Sequence, residues 1–270
     1  MTQDAFVGID VAFAKSKRLP IVVCKREGTR LIPLMLRSFR EAIPPLGRGN
    51  RIALDPQEVR DFATDTLSYL RIVERAYDLR VRRIAIDAPS SFKREGLARR
   101  AAEVAMDQRQ ISCFATPSRV EFEAIRAKVA THLRNGGAEN CLPHANQLWM
   151  LVGFALFEVL GQHYECIEVF PQAIAATLRS NKVHKSHANG LTAQLIGIGR
   201  LSGWPSDDRH CELRGIAFGS LHDKLDAYMS SWVASLSKQE SFACGEGPFD
   251  VIWIPHPENT TAKEFWSKGT

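Results

Sequence analysis

Arg82-Arg83-Ile84-Ala85-Ile86-Asp87-Ala88-Pro89-Ser90-Ser91 is the stretch on which the reading of this chain turns. An apolar run climbs to one carboxylate, and Pro89 stops the strand behind it. A carboxylate at the end of a buried strand is costly unless a cation or hydrogen-bond donors meet it. In open α/β sheets, ligands gather at the carboxyl ends of strands. Phe6-Val7-Gly8-Ile9-Asp10 repeats the pattern near the N-terminus, and Ile167-Glu168-Val169-Phe170 offers a third version.

Outward from these strands the order is strand–strand–strand–helix–strand, a helical insertion, then helix–strand–helix. Residues 5–11, 18–25 and 31–37 read as strands, with Glu27-Gly28-Thr29 as hairpin chemistry between the last two. Pro33 argues that the third is an edge strand. Asp55-Pro56-Gln57-Glu58 combines an N-cap, a proline at N1 and an acid at N3. The helix it opens places Val59, Phe62, Thr66, Leu70, Val73 and Tyr77 on one face. After the Asp87 strand, residues 93–160 read as helical, with Ser118 capping one helix and 143–160 forming a strongly apolar one ended by Gly161. Residues 164–170 form a strand. A basic loop over 179–191 and a second loop over 204–208 follow. A helix over 220–236 has Leu221, Leu225, Tyr228, Trp232 and Leu236 as its buried stripe, and 251–254 is a short last strand. Three strands before the first helix differ from a dinucleotide-binding fold, which alternates from the start. The reading is one α/β domain over 1–270: a mixed five-stranded sheet flanked by helices, with a helical insertion over about 93–142.

Composition bounds the function. The chain has 270 residues, a formal net charge of +5 and six cysteines, none in Cys-x-x-Cys spacing. That spacing excludes the common zinc and thioredoxin-like motifs, and scattered cysteines fit a reducing, cytoplasmic setting. The N-terminus lacks a basic region followed by an apolar one, so no signal peptide is expected. The longest apolar run, residues 148–157, is too short to span a bilayer, so no membrane partner is expected. The positive excess favours a polyanionic partner. No P-loop, nucleophile elbow or Gly-x-Gly-x-x-Gly fingerprint is present.

The acids carry the chemistry. Asp223 and Asp226 share a helix face bordering the Leu221–Leu225 stripe. With Asp10 and Asp87 they make four carboxylates from elements distant in sequence, a donor set that suits Mg2+ or Mn2+. In two-metal phosphodiester cleavage, one ion activates water and the other stabilises the leaving oxygen. Each acid also has an ordinary reading: a turn cap for Asp10, an Asx-turn for Asp87 and a helix-dipole contact for Asp223. Glu168, inside an apolar strand, is either a catalytic group or half of a buried ion pair. Arg99, Arg100 and Lys185 are the candidate phosphate contacts, against solvated helix and loop positions. His184 and His187 form a weak metal pattern beside Lys182 and Lys185, and His222 stands next to Asp223 as a possible proton carrier.

Taken in series, Val7-Gly8-Ile9-Asp10, Ile84-Ala85-Ile86-Asp87-Ala88-Pro89, Arg99-Arg100, Phe114-Ala115-Thr116-Pro117, Glu168-Val169-Phe170-Pro171 and His222-Asp223-Lys224-Leu225-Asp226-Ala227 resemble the domain-of-unknown-function family 429 over nearly the whole chain. That resemblance implies a predicted nuclease with a ribonuclease H-like fold. The wider superfamily includes RuvC-type junction resolvases, with a first-strand acid, a fourth-strand acid and two acids on the last helix. Those roles fall on Asp10, Asp87, Asp223 and Asp226, with Glu168 matching the narrower family alone. The expected partner is nucleic acid, DNA or RNA left open, and so is the oligomeric state. Two other functions compete. An actin- or sugar-kinase-like phosphotransferase needs a glycine-bearing phosphate loop after the first strand, where this chain has Ala12-Phe13-Ala14-Lys15-Ser16-Lys17. A non-catalytic adaptor would keep the fold without needing all four acids.

Overall fold

The computed structural model describes residues 2–180, 183–205, 210–248 and 250–256. Lys182 and residues 206–208 of the expected loops lie outside the described residues. The main sheet holds β1 (Gln3–Asp10), β2 (Ile21–Glu27), β3 (Arg30–Pro33), β4 (Leu79–Asp87) and β5 (Glu165–Glu168), in the order β3-β2-β1-β4-β5. β2 runs antiparallel to β1 and β3, while β1, β4 and β5 are mutually parallel. The expected mixed five-stranded sheet is present, and β3, ending at Pro33, is an edge.

Two helical layers cover it. α1 (Pro56–Ala76) starts at Asp55, whose Oδ1 accepts from the Gln57 and Glu58 amides, and it packs with α4 (Ala145–Leu160) on one face. Odd-numbered β1 residues Ala5, Val7 and Ile9, with Ile84 and Ile86 of β4, form the core under those helices. Tyr77, expected on the α1 stripe, falls past the helix end and is exposed. Between β4 and α4 lie α2 (Ala101–Asp107) and α3 (Arg119–Arg134), the latter opened by a reciprocal Ser118–Glu121 capping box. α2 is shorter than the arginine- and alanine-rich pattern implied, since residues up to Arg100 are extended or turn.

The opposite face is filled by α8 (Leu221–Ser235), with α5 (Pro171–Thr177), α6 (Ala188–Ser202) and α7 (His210–Ile216) around it. An amphipathic α8 was expected, with one buried stripe. Instead every residue from Asp223 to Ser235 is buried, because the sheet covers one side and α5, α6 and α7 cover the rest. α6 also takes the end of the stretch read as a basic loop. The last strand, β7 (Asp250–Pro255), does not join the main sheet. It pairs antiparallel with β6 (Ser241–Glu246) and touches the main sheet through one Val169–Trp253 bridge. Among the described residues no helix is long and apolar enough to cross a membrane.

A candidate carboxylate centre

Pleat parity sets the site. Side chains alternate along a strand, so Phe6, Gly8 and Asp10 face one side of β1, and Arg83, Ala85 and Asp87 face the same side of β4. Asp10 and Asp87 are register partners at the carboxyl ends of these parallel neighbours. Their side belongs to α8: Phe6 and Ala85 pack with Leu225, Ala227 and Tyr228. Gly8 makes that approach close. A Cβ there would lie 1.8 Å from the Ala227 carbonyl oxygen and 2.4 Å from the Ser231 amide nitrogen. The absent side chain lets α8 lie directly on β1, one residue from Ala227, and so brings Asp226 over the strand ends.

Charge interactions link the acids across these elements. Burial, then Asp226, Asp87 and Asp223 in that order, raise Asp10 well above the carboxylate range, against a downward pull from Lys185. Asp87 is pushed up to about 8, first by desolvation and then by Asp226, with Lys185 opposing. Asp226 is raised by burial against the pull of Lys185. The Lys185 ammonium touches Asp226 Oδ2. Burial works against that ammonium, but Asp226, Asp87 and Asp10 outweigh it and hold its charge. Asp226 Oδ1 is buried and, among the described residues, has no hydrogen-bond partner. The strand pair, Asp226 and Lys185 therefore form one charged cluster.

Asp223 stands differently. It is the N3 residue of the α8 capping box: its Oδ2 accepts from the Ser220 amide at 3.0 Å, and its own amide bonds Ser220 Oγ. Lys17 Nζ lies 3.6 Å from Oδ2 and His222 Nε2 3.1 Å from Oδ1. Burial pushes this acid up, but Ser220, Lys17 and His222 outweigh it and hold Asp223 below the usual range. It borders the cluster while already committed to the helix start.

Glu168 acts on Asp87, raising it least of the causes, but is held elsewhere by its own partner. β4–β5 register pairs it with Ile86 rather than with Asp87, so pleat parity turns it to the other face. There Arg100 Nη1 and Nη2 donate to its two oxygens at 3.0 and 2.6 Å, and the Ser90 amide adds 2.8 Å. Both side chains are nearly inaccessible, at 1% for Arg100 and 5% for Glu168. Arg100 Nε also reaches Asp250 at 3.1 Å, and Asp250 accepts from the Ala101 and Ala102 amides, capping α2. Of the two readings of Glu168, the structure shows the buried ion pair, with Arg100 as its partner, and that pair binds α2, β5 and β7. Arg99 is engaged too, by Asp107 at 3.1 Å, Glu103 at 3.7 Å and the Cys113 carbonyl. His184 Nδ1 pairs with Ser186. Only Lys185, among the expected phosphate contacts, faces the acids.

Hard oxygen donors and an orphaned buried carboxylate oxygen fit a divalent cation. The positions shown do not yet form a cage: among the described residues, no three His, Cys, Asp or Glu side chains stand close enough together to hold one metal ion. Lys185 supplies the positive charge in their midst.

A family model described as "Protein of unknown function (DUF429)" matches residues 8–248. The chain belongs to this family. The DUF429 match contains all five acids, Arg99, Arg100 and Lys185. No curated protein and no solved structure matches the chain.

Proposed function

We propose that this DUF429 protein is a metal-dependent nuclease on a ribonuclease H-like fold. One observation carries the reading: Asp10 and Asp87 end adjacent parallel strands in register, and Asp226, from a helix more than a hundred residues later, acts on both. Three mutually repelling acids, Asp226 buried and Asp10 and Asp87 half-buried, are an expensive way to build a scaffold, since each ionised carboxylate raises the cost of the next. A multivalent cation reverses that cost. The arrangement also supports the fold reading: an acid on the first strand, one on the fourth and two on the last long helix.

Asp10, Asp87 and Asp226 would hold Mg2+ or Mn2+, with Asp223 at the border. A bound ion of this kind supplies Lewis-acid stabilisation of a phosphodiester and a water of lowered pKa. The protein's own part is to fix the strand-end acids in register and press α8 onto them through Gly8. It also holds Lys185 where its ammonium can pass from Asp226 to an anionic substrate. Glu168 and Arg100 keep the adjoining insertion in place.

The test is a cleavage panel of single strands, duplexes, RNA–DNA hybrids and branched junctions with Mg2+ or Mn2+. Wild type should cut at least one class, and Asp87→Asn and Asp226→Asn should each lose that cutting by orders of magnitude while remaining folded. A panel with no cut substrate, or full activity in both variants, would overturn the proposal.

A further inference from the structure

Arg99 is engaged by carboxylates within the insertion, Arg100 by Glu168 and Asp250, and Lys185 by Asp226. Cations without such partners collect instead around Phe218. The Arg37 guanidinium lies 4.2 Å from the centre of that ring, and Arg18 approaches it at 5.8 Å. Arg18 donates to the Pro44 carbonyl at 2.9 Å, and Lys224 Nζ to the Arg214 carbonyl at 2.9 Å. Among the described residues, these contacts are to carbonyl oxygens and one ring, with no carboxylate within ion-pair distance of Arg18, Arg37, Arg214 or Lys224.

The cluster comes from four separate places. Arg18 precedes β2, Arg37 sits in a 3-10 turn over Leu36–Ser38, Arg214 lies on α7 and Lys224 on α8. The 3-10 turn packs on α7, which holds two of the charges together. Two unit charges 4 Å apart repel by about 1 kcal/mol in water and about 4 kcal/mol at the effective dielectric of a protein surface. The gathering raises the energy of the chain alone and lowers it once phosphates lie across it. Guanidinium groups suit that role because their fork matches phosphate oxygens.

The patch adjoins the acid centre. Lys224 follows Asp223 in the chain, and Lys17, next to Arg18, is 3.6 Å from Asp223 Oδ2. A Cβ on Gly219, the residue after Phe218, would lie 3.2 Å from Asp223 Cβ. We propose that Arg18 and Arg37, stacked about Phe218, together with the exposed Arg214 on the helix packed against that turn and the buried Lys224 behind them, form a basic surface whose arginines contact phosphates and lead a nucleic-acid strand to the Asp10–Asp87–Asp226 centre. The binding part stands on charge geometry, and only the strand's destination rests on the proposed nuclease activity. A strand can present spaced phosphates to the patch and pass the acids beside it. An anionic bilayer would press its charge onto those acids.

The measurement is fluorescence anisotropy with a labelled single-stranded oligonucleotide and a duplex, in EDTA, over a salt series. Each phosphate contact contributes about 0.7 (single strand) to 0.9 (duplex) to the slope of log K against log salt. Arg37→Gln/Arg214→Gln alters two exposed side chains and should flatten that slope by about 1.4 to 1.8. Arg75→Gln/Arg80→Gln, on α1 and at the far end of β4, should leave it unchanged. Melting temperature confirms that both variants fold. A wild type that binds while the Arg37/Arg214 variant keeps its slope overturns the proposal. So does wild type binding phosphatidylserine vesicles but neither oligonucleotide, or binding none of these probes. Cleavage is read separately. A flattened slope without wild-type cutting upholds the patch and removes the nuclease reading, and an unchanged slope with wild-type cutting does the reverse.

Discussion

Replacing Asp87 by Asn should stabilise the metal-free protein, and the gain should grow with pH. Burial, Asp226 and Glu168 lift the Asp87 carboxyl from its usual 3.8 to about 8, against Lys185. Between those values the unfolded chain has lost the proton and the folded chain still holds it. The native state binds more protons there, so stability falls as pH rises, by about 1.4 kcal/mol per unit for one group. The contribution is fully present below pH 4 and lost by about pH 8. The window is roughly four units wide, which sets a ceiling of about 6 kcal/mol. Asp10 and Asp226 share the same protons, so the single substitution recovers part of it, about 2–4 kcal/mol at pH 7. Asn keeps the shape of the protonated acid and cannot ionise. Urea unfolding in EDTA from pH 5 to pH 8.5 measures the difference directly. A variant less stable than wild type at pH 7, or a gap that does not widen with pH, would refute the reasoning and mark Asp87 as a structural acceptor. Added Mg2+ or Mn2+ should raise the wild-type melting temperature and leave the variant nearly unmoved.

Three further substitutions probe the parts that hold the centre. Gly8→Ala drives a methyl into the Ala227 carbonyl and should cost more than about 3 kcal/mol or prevent folding, whereas Ile9→Val beside it should cost about 1 kcal/mol by denaturant titration. Arg100→Met strands Glu168 as a buried charge and should cost about 3–5 kcal/mol, with Arg100→Met/Glu168→Gln recovering much of it; a double-mutant cycle without coupling would break the ion-pair assignment. Lys185→Met leaves Asp226 without its cation, so calorimetry should show a less stable metal-free protein that binds Mn2+ more tightly than wild type does; equal or weaker Mn2+ binding would show that the lysine does not compete for that place.

The parts legible in the sequence were those decided by local pattern. Period-two apolar runs ending in Asp10 and Asp87 locate two strand ends, and the Asp55-Pro56 and Ser118–Glu121 caps locate two helix starts. What escaped was decided between elements. Strand β6 has only Ser241 and Cys244 of its six residues buried, and it acquires a place by pairing with β7 and packing on α2. α6 contains three glycines and escaped a propensity reading, yet Gly190 and Gly199 sit where a Cβ would strike backbone oxygens at 2.2 and 2.9 Å. Glu168 shows the limit most sharply. Its sequence context matches that of Asp10 and Asp87, an apolar strand closing on an acid. Register slides it by one position against β4, and one position in a pleated strand is the difference between two faces. On that face the carboxylate meets Arg100. The signal that could have separated the two cases was Arg100 itself, an arginine among alanines at the start of a short helix, where a buried counter-ion is as natural a role as a phosphate contact.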